Sequence, residues 1–378
     1  MDLHSIQTPS LVVDRTIVAA NCEAMARRAT RAGVSLRPHM KTGKAKEIAE
    51  LATEGHSGAI TVSTAAEAEF FAQRGFADIT YAVSMSAQKL CRLAELQRGG
   101  ATVTLITDSL EAVEAVEAEA VRLSSSHRVL IEIDTGGKRS GVDPESPLLL
   151  AIARAIDQSA VLELCGVLTH AGHSYHCTDI AAIVAVAEEE RAGVVLASER
   201  LRHESFPCET VSAGSTPTAV HAASFEGLTE IRPGVYTLFD LDQVGIGSCV
   251  LADVAATVLC TVIGHNPSEG TAIVDAGGLA LSKDVSAAEF MANAGYGLVS
   301  EIGGGPPIDG LFVTDVHQEH GIVADANGSP VLDAMPIGSK WRVLPNHVCM
   351  TAAAHQQFHV VERGGVDIVE VWDRSSGW

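Results

Sequence analysis

Two hydrophobic periodicities alternate between Val34 and Tyr236. Short apolar and β-branched runs are typical of buried strands, and they lie at Val34–His39, Gly58–Ser63, Ile79–Val83, Val103–Thr107, Val129–Asp134, Leu164–Thr169, Glu209–Ser212 and Ile231–Tyr236. Between them lie Ala- and Glu-rich stretches with helical spacing, such as Ser109–Leu123 and Ile180–Leu201, and Asp108 and Ser109 are typical cap residues for the first. About eight strand–helix units predict an α/β fold, a (β/α)8 TIM-type barrel with parallel strands.

After Val250 the pattern changes to short β-rich runs separated by Gly, Pro and Asn turns, with little helix. The runs are Ala255–Ile263, Thr271–Asp275, Gly310–Val316, Trp341–Leu344, His359–Val361 and Asp367–Val371. They predict a second, C-terminal β-rich domain, with which Leu11–Val13 is expected to pair. We therefore expect residues 14–250 to form the barrel, and residues 1–13 and 251–378 to form the β-rich domain. Two domains also suit the length of 378 residues, because single cores usually stop growing at about 250–300 residues.

Composition and charge narrow the classes of partner. Hydrophobic residues make up 47% and charged residues 19% of the chain, which excludes a disordered protein. The 26 basic and 47 acidic residues give a net charge of −21, which argues against nucleic acid and against an anionic membrane surface. A small anionic ligand is not excluded, because a few local basic residues can hold one.

The N-terminus and the cysteines indicate the cellular compartment of the protein. Met1 to Ser5 has neither a basic nor an apolar signal region, and no uncharged apolar run is long enough to span a bilayer. The eight cysteines are scattered without a C-x-x-C pair. We therefore expect a cytoplasmic protein with free thiols.

Polar residues cluster where the predicted barrel strands end, which is where such barrels carry their chemistry. These segments are Arg37-Pro38-His39-Met40-Lys41, Asp134-Thr135-Gly136-Gly137-Lys138-Arg139, His170, Ser212-Ala213-Gly214-Ser215-Thr216 and Arg232-Pro233-Gly234-Val235. The carboxyl ends of parallel strands share one face of a barrel. The sequence therefore predicts a cationic mouth in an acidic protein.

The last two segments favour a phosphate site, because glycines and small hydroxyl residues let backbone N–H groups approach an anion. The alternative is that these residues only shape turns. Lys41 is either an ordinary surface lysine or an amine that forms a Schiff base beside other cations. A phosphate site next to a mouth lysine indicates pyridoxal phosphate, a phosphorylated aldehyde that needs both.

A candidate metal pair lies at His347 and Cys349. In an extended segment, residues i and i+2 point to the same side, so the two side chains would bind one cation and leave positions open for water and substrate. Two rival sets are His170, His173, His176 and Cys177, and the pair Glu319 and His320. For the last pair a polar turn is the default interpretation.

Several motifs together resemble one enzyme family. They are Arg37-Pro38-His39-x-Lys41-Thr42, Asp134-Thr135-Gly136, Arg139-Ser140-Gly141-Val142, Thr169-His170-Ala171-Gly172-x-Ser174-Tyr175, Gly214-Ser215-Thr216-Pro217-Thr218 and Pro345-Asn346-His347-x-Cys349. The combination resembles the D-serine dehydratase and D-threonine aldolase group, pyridoxal-phosphate enzymes of the alanine-racemase-like fold. The resemblance runs from Thr8-Pro9 to Gly377-Trp378.

The resemblance implies a role for each matching residue. Lys41 would carry the Schiff base and act in catalysis, Arg139 would hydrogen-bond the phenolic oxygen of the cofactor, and Tyr175 would flank its ring. Arg232 matches an arginine that faces the pyridine nitrogen in the racemases. The phosphate would be held by Gly214, Ser215, Gly234 and Val235, with His170 and Thr216 completing the cofactor site. His347 and Cys349 would bind a divalent metal, namely zinc, manganese or magnesium, in preference to the His170–Cys177 cluster.

The resemblance also implies an activity. The leading hypothesis is a pyridoxal-phosphate- and metal-dependent carbon–oxygen lyase that removes water from a D-configured β-hydroxy amino acid. The preferred candidate substrate is D-threo-3-hydroxyaspartate, which would give oxaloacetate and ammonia. The alternatives are D-serine dehydration and retro-aldol cleavage of D-threonine or 3-hydroxy-D-aspartate to glycine and an aldehyde. In the aldolases a carboxylate stands where Cys349 does, which favours dehydration.

Two further readings are less favoured. A racemase needs a second base and no metal, and cofactor-carrying regulatory relatives usually lack the second β-domain. Relatives of this fold commonly dimerise, so a homodimer is expected.

Overall fold

The computed structural model describes all residues from Met1 to Trp378. It divides into two compact units. The barrel unit comprises Ala24–Lys44, Ala52–Gly234 and Ser375–Trp378, and the β unit comprises Met1–Glu23, Ala45–Leu51 and Val235–Arg374. The domain boundaries drawn from the sequence stay a prediction.

Strands and helices alternate first and strands dominate later, as the two periodicities predict. The strands are β1 Ser10–Asp14, β2 Ser35–Leu36, β3 Ile60–Val62, β4 Asp78–Tyr81, β5 Thr102–Thr107, β6 His127–Ile133, β7 Leu162–Thr169, β8 Thr210–Ala213, β9 Glu230–Ile231, β10 Ala256–Asn266, β11 Thr271–Val274, β12 Leu298–Glu301, β13 Leu311–Val316, β14 Gly321–Asp325, β15 Lys340–Leu344, β16 Gln357–Val361 and β17 Glu370–Asp373. The helices are α1 Arg15–Ala32, α2 Lys46–Thr53, α3 Ala65–Ala72, α4 Ala87–Arg98, α5 Leu110–Leu123, α6 Pro147–Asp157, α7 Ile180–His203, α8 Thr216–His221, α9 Leu241–Gly245, α10 Gly278–Leu281 and α11 Val348–Ala353.

The barrel unit contains eight parallel strands in the order β2-β9-β8-β7-β6-β5-β4-β3. A parallel bridge between His39 and Thr61 joins the two outer strands and closes the barrel. Side chains from neighbouring strands fill its interior, among them Ile106, Leu130 and Leu168. These are aliphatic residues, in keeping with an aromatic content of only 4%. The predicted (β/α)8 architecture is confirmed.

Local signals explain where the helices of the barrel begin. The side chains of Ser109 and Asp179 accept hydrogen bonds from the backbone N–H groups of Ala112 and Ala182, which caps α5 and α7. Asp108 does not cap α5, because its carboxylate accepts from the N–H of Gly141 instead. The cap predicted at Ser109 is therefore confirmed, and the one at Asp108 is wrong.

The eighth barrel strand is shorter than the sequence predicts. β9 ends at Ile231, and a 3-10 helix occupies Val235–Thr237, where the strand Ile231–Tyr236 was expected. Pro233 cannot donate to a strand ladder, and Gly234 lies against the backbone of His39. The chain therefore leaves the barrel two residues before the proline.

The β unit is built on an antiparallel ring. β11, β14, β13, β12, β15 and β10 pair in that order, and β10 also pairs with β11, which closes the ring. β1, which covers the predicted Leu11–Val13, pairs with β10 and with β16, so that prediction is confirmed. The sequence analysis missed β12 and β14, and it placed the last strand at Asp367–Val371, whereas β17 is Glu370–Asp373. In the whole chain, no helix is both long and apolar enough to cross a membrane.

Candidate active site

A cavity of about 360 Å3 opens at the strand ends of the barrel unit. Five of the ten residues predicted for the cofactor line it, namely Lys41, Arg139, His170, Gly214 and Arg232. The cationic mouth expected from the sequence is thus present in this unit. The other five, Tyr175, Ser215, Thr216, Gly234 and Val235, are not among the lining residues. His39 and Glu132 also line the cavity, and the sequence analysis gave neither of them a role.

Two lysines follow β2, and the structure separates them. Lys44 Nζ lies 3.0 Å from Glu67 Oε1 in an ion pair whose carboxylate is fully buried. Lys41 lines the cavity, is half-buried and has no carboxylate within ion-pair distance. Its backbone N–H donates to His39 Nδ1 at 3.3 Å. Lys41 is therefore the amine that faces the cavity without a counter-ion.

Two half-buried histidines, His39 and His170, line the cavity beside its cations. Burial lowers the pKa of His39 well below its usual value, and the charge of Lys41 lowers it further. Burial, Lys41 and Arg139 do the same to the pKa of His170. Both imidazoles are therefore neutral at pH 7. The His170 ring also lies 6.4 Å from the Tyr175 ring, centroid to centroid, so Tyr175 is held near the cavity although it does not line it.

The two arginines of the cavity differ in exposure and in hydrogen bonding. The Arg139 side chain is 65% exposed, and its nearest carboxylate is Glu132, 3.8 Å away. Arg232 is buried and donates to Ser212 Oγ and to the Thr169 carbonyl. Burial lowers the pKa of Arg232 while Glu230 and other acids oppose that shift. Arg139 is thus free to meet a ligand, whereas Arg232 is fixed in the barrel wall.

Glu132 is a buried acid on β6 that accepts from Ser140 Oγ at 2.9 Å. Burial raises its pKa, although Ser140 and Arg139 act in the opposite direction. The signal in the sequence is a single carboxylate within the apolar run Val129–Asp134.

The turn after β8 does not expose the N–H groups that the sequence suggested. The N–H of Gly214 donates to Glu190 Oε1 at 3.0 Å, and that of Ser215 donates to Thr218 Oγ1 at 2.9 Å. Glu190 Oε1 also accepts from the N–H of Ala171 at 2.8 Å. Glu190, fully buried on α7, thus ties the segment after β7 to the turn after β8. The sequence analysis missed this residue.

Gly234 is required by a close approach to the turn that carries the lysine. A Cβ on Gly234 would lie 2.7 Å from the carbonyl oxygen of His39, which no real side chain tolerates. The N–H of His39 in turn donates to the Pro233 carbonyl at 2.9 Å. Gly234 therefore lets the turn after β9 pack directly against the turn that carries Lys41.

His347 and Cys349 lie in the β unit, in a different local structure from the predicted one. The extended segment predicted there is wrong, because the chain turns into α11 directly after His347, which occupies the N-cap position without a capping side-chain hydrogen bond, and Cys349 lies in the first turn. The two side chains nevertheless meet in a hydrogen bond. His347 Nδ1 lies 2.7 Å from Asp284 Oδ2. Burial lowers the pKa of His347, but Cys349, Asp240 and Asp284 together raise it to about 10.

The residues fit both groups that the sequence predicts. A cavity with an unpaired lysine, an exposed arginine and a buried arginine suits a phosphorylated aldehyde. An imidazole that is hydrogen-bonded to a thiol, with a carboxylate on its Nδ1, suits a divalent metal. No three His, Cys, Asp or Glu side chains of the chain converge as a metal cluster. In the rival set, His173 and His176 lie on the 3-10 helix Gly172–His176.

Comparison with known proteins agrees with this architecture. Residues 13–242 match the alanine racemase N-terminal domain, and residues 255–361 match the putative serine dehydratase domain. The barrel unit therefore places the chain in the alanine-racemase-like class of enzymes. The chain belongs to the D-serine dehydratase family within that class, the fold-type III pyridoxal-phosphate enzymes.

The relatives of this chain include two dehydratases. D-threo-3-hydroxyaspartate dehydratase of Delftia sp. (strain HT23) is 43% identical over 380 residues, covering 100% of this chain and 99% of the relative. D-serine dehydratase of Dictyostelium discoideum is 31% identical over 380 residues, covering 95% and 94%. The solved structure of the Delftia enzyme superposes with a TM-score of 0.95 and covers 100% of both chains. That enzyme has also been solved as a histidine-to-alanine variant and as a cysteine-to-alanine variant in a metal-free form, the two positions lying two residues apart.

Proposed function

We propose that this chain is a pyridoxal-phosphate- and divalent-metal-dependent dehydratase of D-configured β-hydroxy amino acids. Its preferred substrate would be D-threo-3-hydroxyaspartate, which it would convert to oxaloacetate and ammonia. The observation that carries the proposal is Lys41, an amine without a counter-ion in a cavity that also holds Arg139 and Arg232. The 43% identity to the Delftia dehydratase over the whole chain supports the choice of substrate.

The residues of the barrel unit would hold the cofactor and move the proton. Pyridoxal phosphate, when bound, supplies an electron sink for the charge left at Cα. Lys41 would bind the cofactor and then take the α-proton of the substrate on Nζ. Arg139, largely exposed at the cavity, would donate to the phenolic oxygen of the cofactor, and the fixed Arg232 would face its ring nitrogen. Gly234 packs against the Lys41 turn, and we assign it with Val235 to the phosphate. Gly214 and Ser215 are assigned to the same group, and their N–H groups, which donate to Glu190 and Thr218, would have to turn to the phosphate.

The residues of the β unit would hold the metal. His347 and Cys349 supply one nitrogen and one sulfur, and Asp284 fixes the orientation of the imidazole. A metal on these two ligands keeps open positions and supplies Lewis-acid assistance to the departing hydroxyl. The matching spacing of the replaced histidine and cysteine in the Delftia enzyme supports this assignment. Zinc, manganese and magnesium are all compatible with such a site.

The proposal also covers the compartment, the oligomeric state and the binding partners of the protein. We infer a cytoplasmic homodimer that binds neither nucleic acid nor membranes. None of the eight cysteines forms a disulfide, and the net charge of −21 disfavours nucleic acids and anionic membrane surfaces.

A substrate panel tests the proposed activity. Purified holoenzyme is incubated separately with D-threo-3-hydroxyaspartate, D-serine and D-threonine, and ammonia, keto acid and glycine are assayed. We expect ammonia and oxaloacetate from hydroxyaspartate, with lower turnover of D-serine. Glycine without ammonia would instead establish the retro-aldol reaction, and no turnover of any substrate would refute an enzymatic role. A chelator should remove the activity and a divalent ion should restore it.

A further inference from the structure

A second cavity lies wholly within the β unit. Its volume is about 670 Å3, within the range of small-molecule sites. Most of its walls are apolar, including Ile17, Val254 and Leu344, and its polar lining includes Arg342. This cavity has no part in the function proposed above.

Arg342 is a buried cation whose hydrogen bonding is incomplete. It lies on β15, between β10 and β12, and only 3% of the residue is exposed. Its Nε donates to Thr257 Oγ1 at 2.9 Å, and its two terminal nitrogens donate to no group of the chain. A Cβ on Gly304 would lie 2.5 Å from Nη1. The glycine at this position therefore makes room for the guanidinium.

No acid of the chain forms an ion pair with Arg342, although the charge of Asp14 acts on it through space and opposes the lowering of its pKa. Asp14 is the only carboxylate that lines the cavity. Its Oδ1 accepts from the N–H of Thr16 at 2.9 Å, and its Oδ2 accepts from the N–H of Gly364 at 2.7 Å. No carboxylate lies within ion-pair distance of the guanidinium. Burial lowers the pKa of Arg342 to about 10, so the group is still charged at neutral pH. A buried charge without a partner is costly unless a ligand supplies one.

We infer that this cavity binds a small organic carboxylate with a short apolar body. The two terminal nitrogens of Arg342 match the two oxygens of a carboxylate in a paired hydrogen-bond geometry. The apolar walls would cover the body of the ligand. A monoanion fits best, because Arg342 is the only buried cation that lines the cavity; the other arginine at the cavity, Arg363, is exposed.

The test uses 4-fluorobenzoate as the probe and fluorine NMR of the holoenzyme as the readout. We expect saturable line broadening with 4-fluorobenzoate and none with the neutral 4-fluorobenzamide. Arg342→Met should weaken binding at least tenfold, as expected for a lost charged hydrogen bond. Ala252→Trp should do the same, because Ala252 lines the cavity from an exposed position and the indole would occupy the space of the ligand.

Two controls separate this cavity from the rest of the molecule. Ala326→Trp places the same indole on an exposed turn outside the cavity, and Arg139→Ala removes a cation from the barrel cavity; both should bind the probe like the wild type. No binding to the wild type would overturn the inference. It would also be overturned if Arg342→Met and Ala252→Trp both kept full affinity, or if the neutral amide bound as well as the carboxylate.

Discussion

At the scale of single residues, the ion pair of Lys44 with Glu67 makes a prediction about two neighbouring lysines. Lys41→Met should abolish the absorbance of the bound cofactor and the activity, yet leave the free energy of unfolding of the apoprotein nearly unchanged. Lys44→Met should leave the cofactor absorbance and the activity nearly unchanged. It should lower the free energy of unfolding by about 3 kcal/mol, because the buried carboxylate of Glu67 loses its cation. Urea unfolding and absorbance spectra of both variants measure the two effects. Cofactor absorbance retained in Lys41→Met would show that another lysine holds the cofactor.

A second residue-scale prediction concerns Asp284, which accepts from His347 Nδ1 and should orient the imidazole toward a metal. Asp284→Ala should weaken metal binding about 10- to 100-fold, the effect typical of losing such a partner. Competition with a chromophoric chelator measures the affinity directly, without an activity assay. Asp309→Asn removes an exposed carboxylate of the same unit and serves as the control. Equal metal affinity in both variants would exclude a positioning role for Asp284.

At the scale of elements, α7 acts on the cofactor site through one side chain. Glu190 accepts from the N–H groups of Ala171 and Gly214, so Glu190→Leu leaves two buried donors unpaired. We expect a loss of about 2–6 kcal/mol of stability, at about 1–3 kcal/mol for each donor, and weaker binding of pyridoxal phosphate. Glu190→Gln keeps an acceptor oxygen and should restore much of both. Glu189→Leu, at an exposed position one residue earlier, is the matched control.

The readout that decides the role of Glu190 is cofactor affinity, measured by absorbance titration of folded protein at low temperature. A variant that is only less stable would still bind the cofactor normally under these conditions. Unchanged affinity in Glu190→Leu would therefore contradict the idea that α7 positions the turn after β8.

Elements with a local signal were predictable, and elements fixed by distant partners were not. The barrel strands follow from runs such as Val103–Thr107, because β-branched and apolar residues buried on both faces are specific to parallel sheets. β12 is placed by pairing with β15, far along the chain. β14 pairs with the adjacent β13 as well as with β11, so its local signal was present and the sequence analysis overlooked it. The basic residues of the site could be found at strand ends. Glu190 and Asp284 could not, because they meet partners 19 and 63 residues away.

At the scale of the whole molecule, several basic side chains of this acidic protein lie away from its surface. Arg232 and Arg342 are buried and Lys41 faces a cavity, so they do little to neutralise the surface. The 47 acids outnumber the 26 bases along the whole chain, so like charges repel across the surface although several acids are buried as well. That repulsion acts on the folded state more than on the expanded unfolded chain, so it lowers stability at low salt.

Screening this repulsion should raise the melting temperature as NaCl increases from about 10 mM to 0.3 M, since the Debye length then falls from about 30 Å to below 8 Å. Replacing two glutamates of α5, Glu114→Gln and Glu117→Gln, should raise the melting temperature at low salt, because neither forms an ion pair and each adds to the surplus charge. The gain should disappear at 0.3 M NaCl, because screening already removes the repulsion there. Scanning calorimetry measures the melting temperatures of the wild type and of the double variant at both salt concentrations. A gain that persists at high salt would arise from helix propensity rather than charge, and a melting temperature that falls with salt would show that attractive ion pairs dominate the surface.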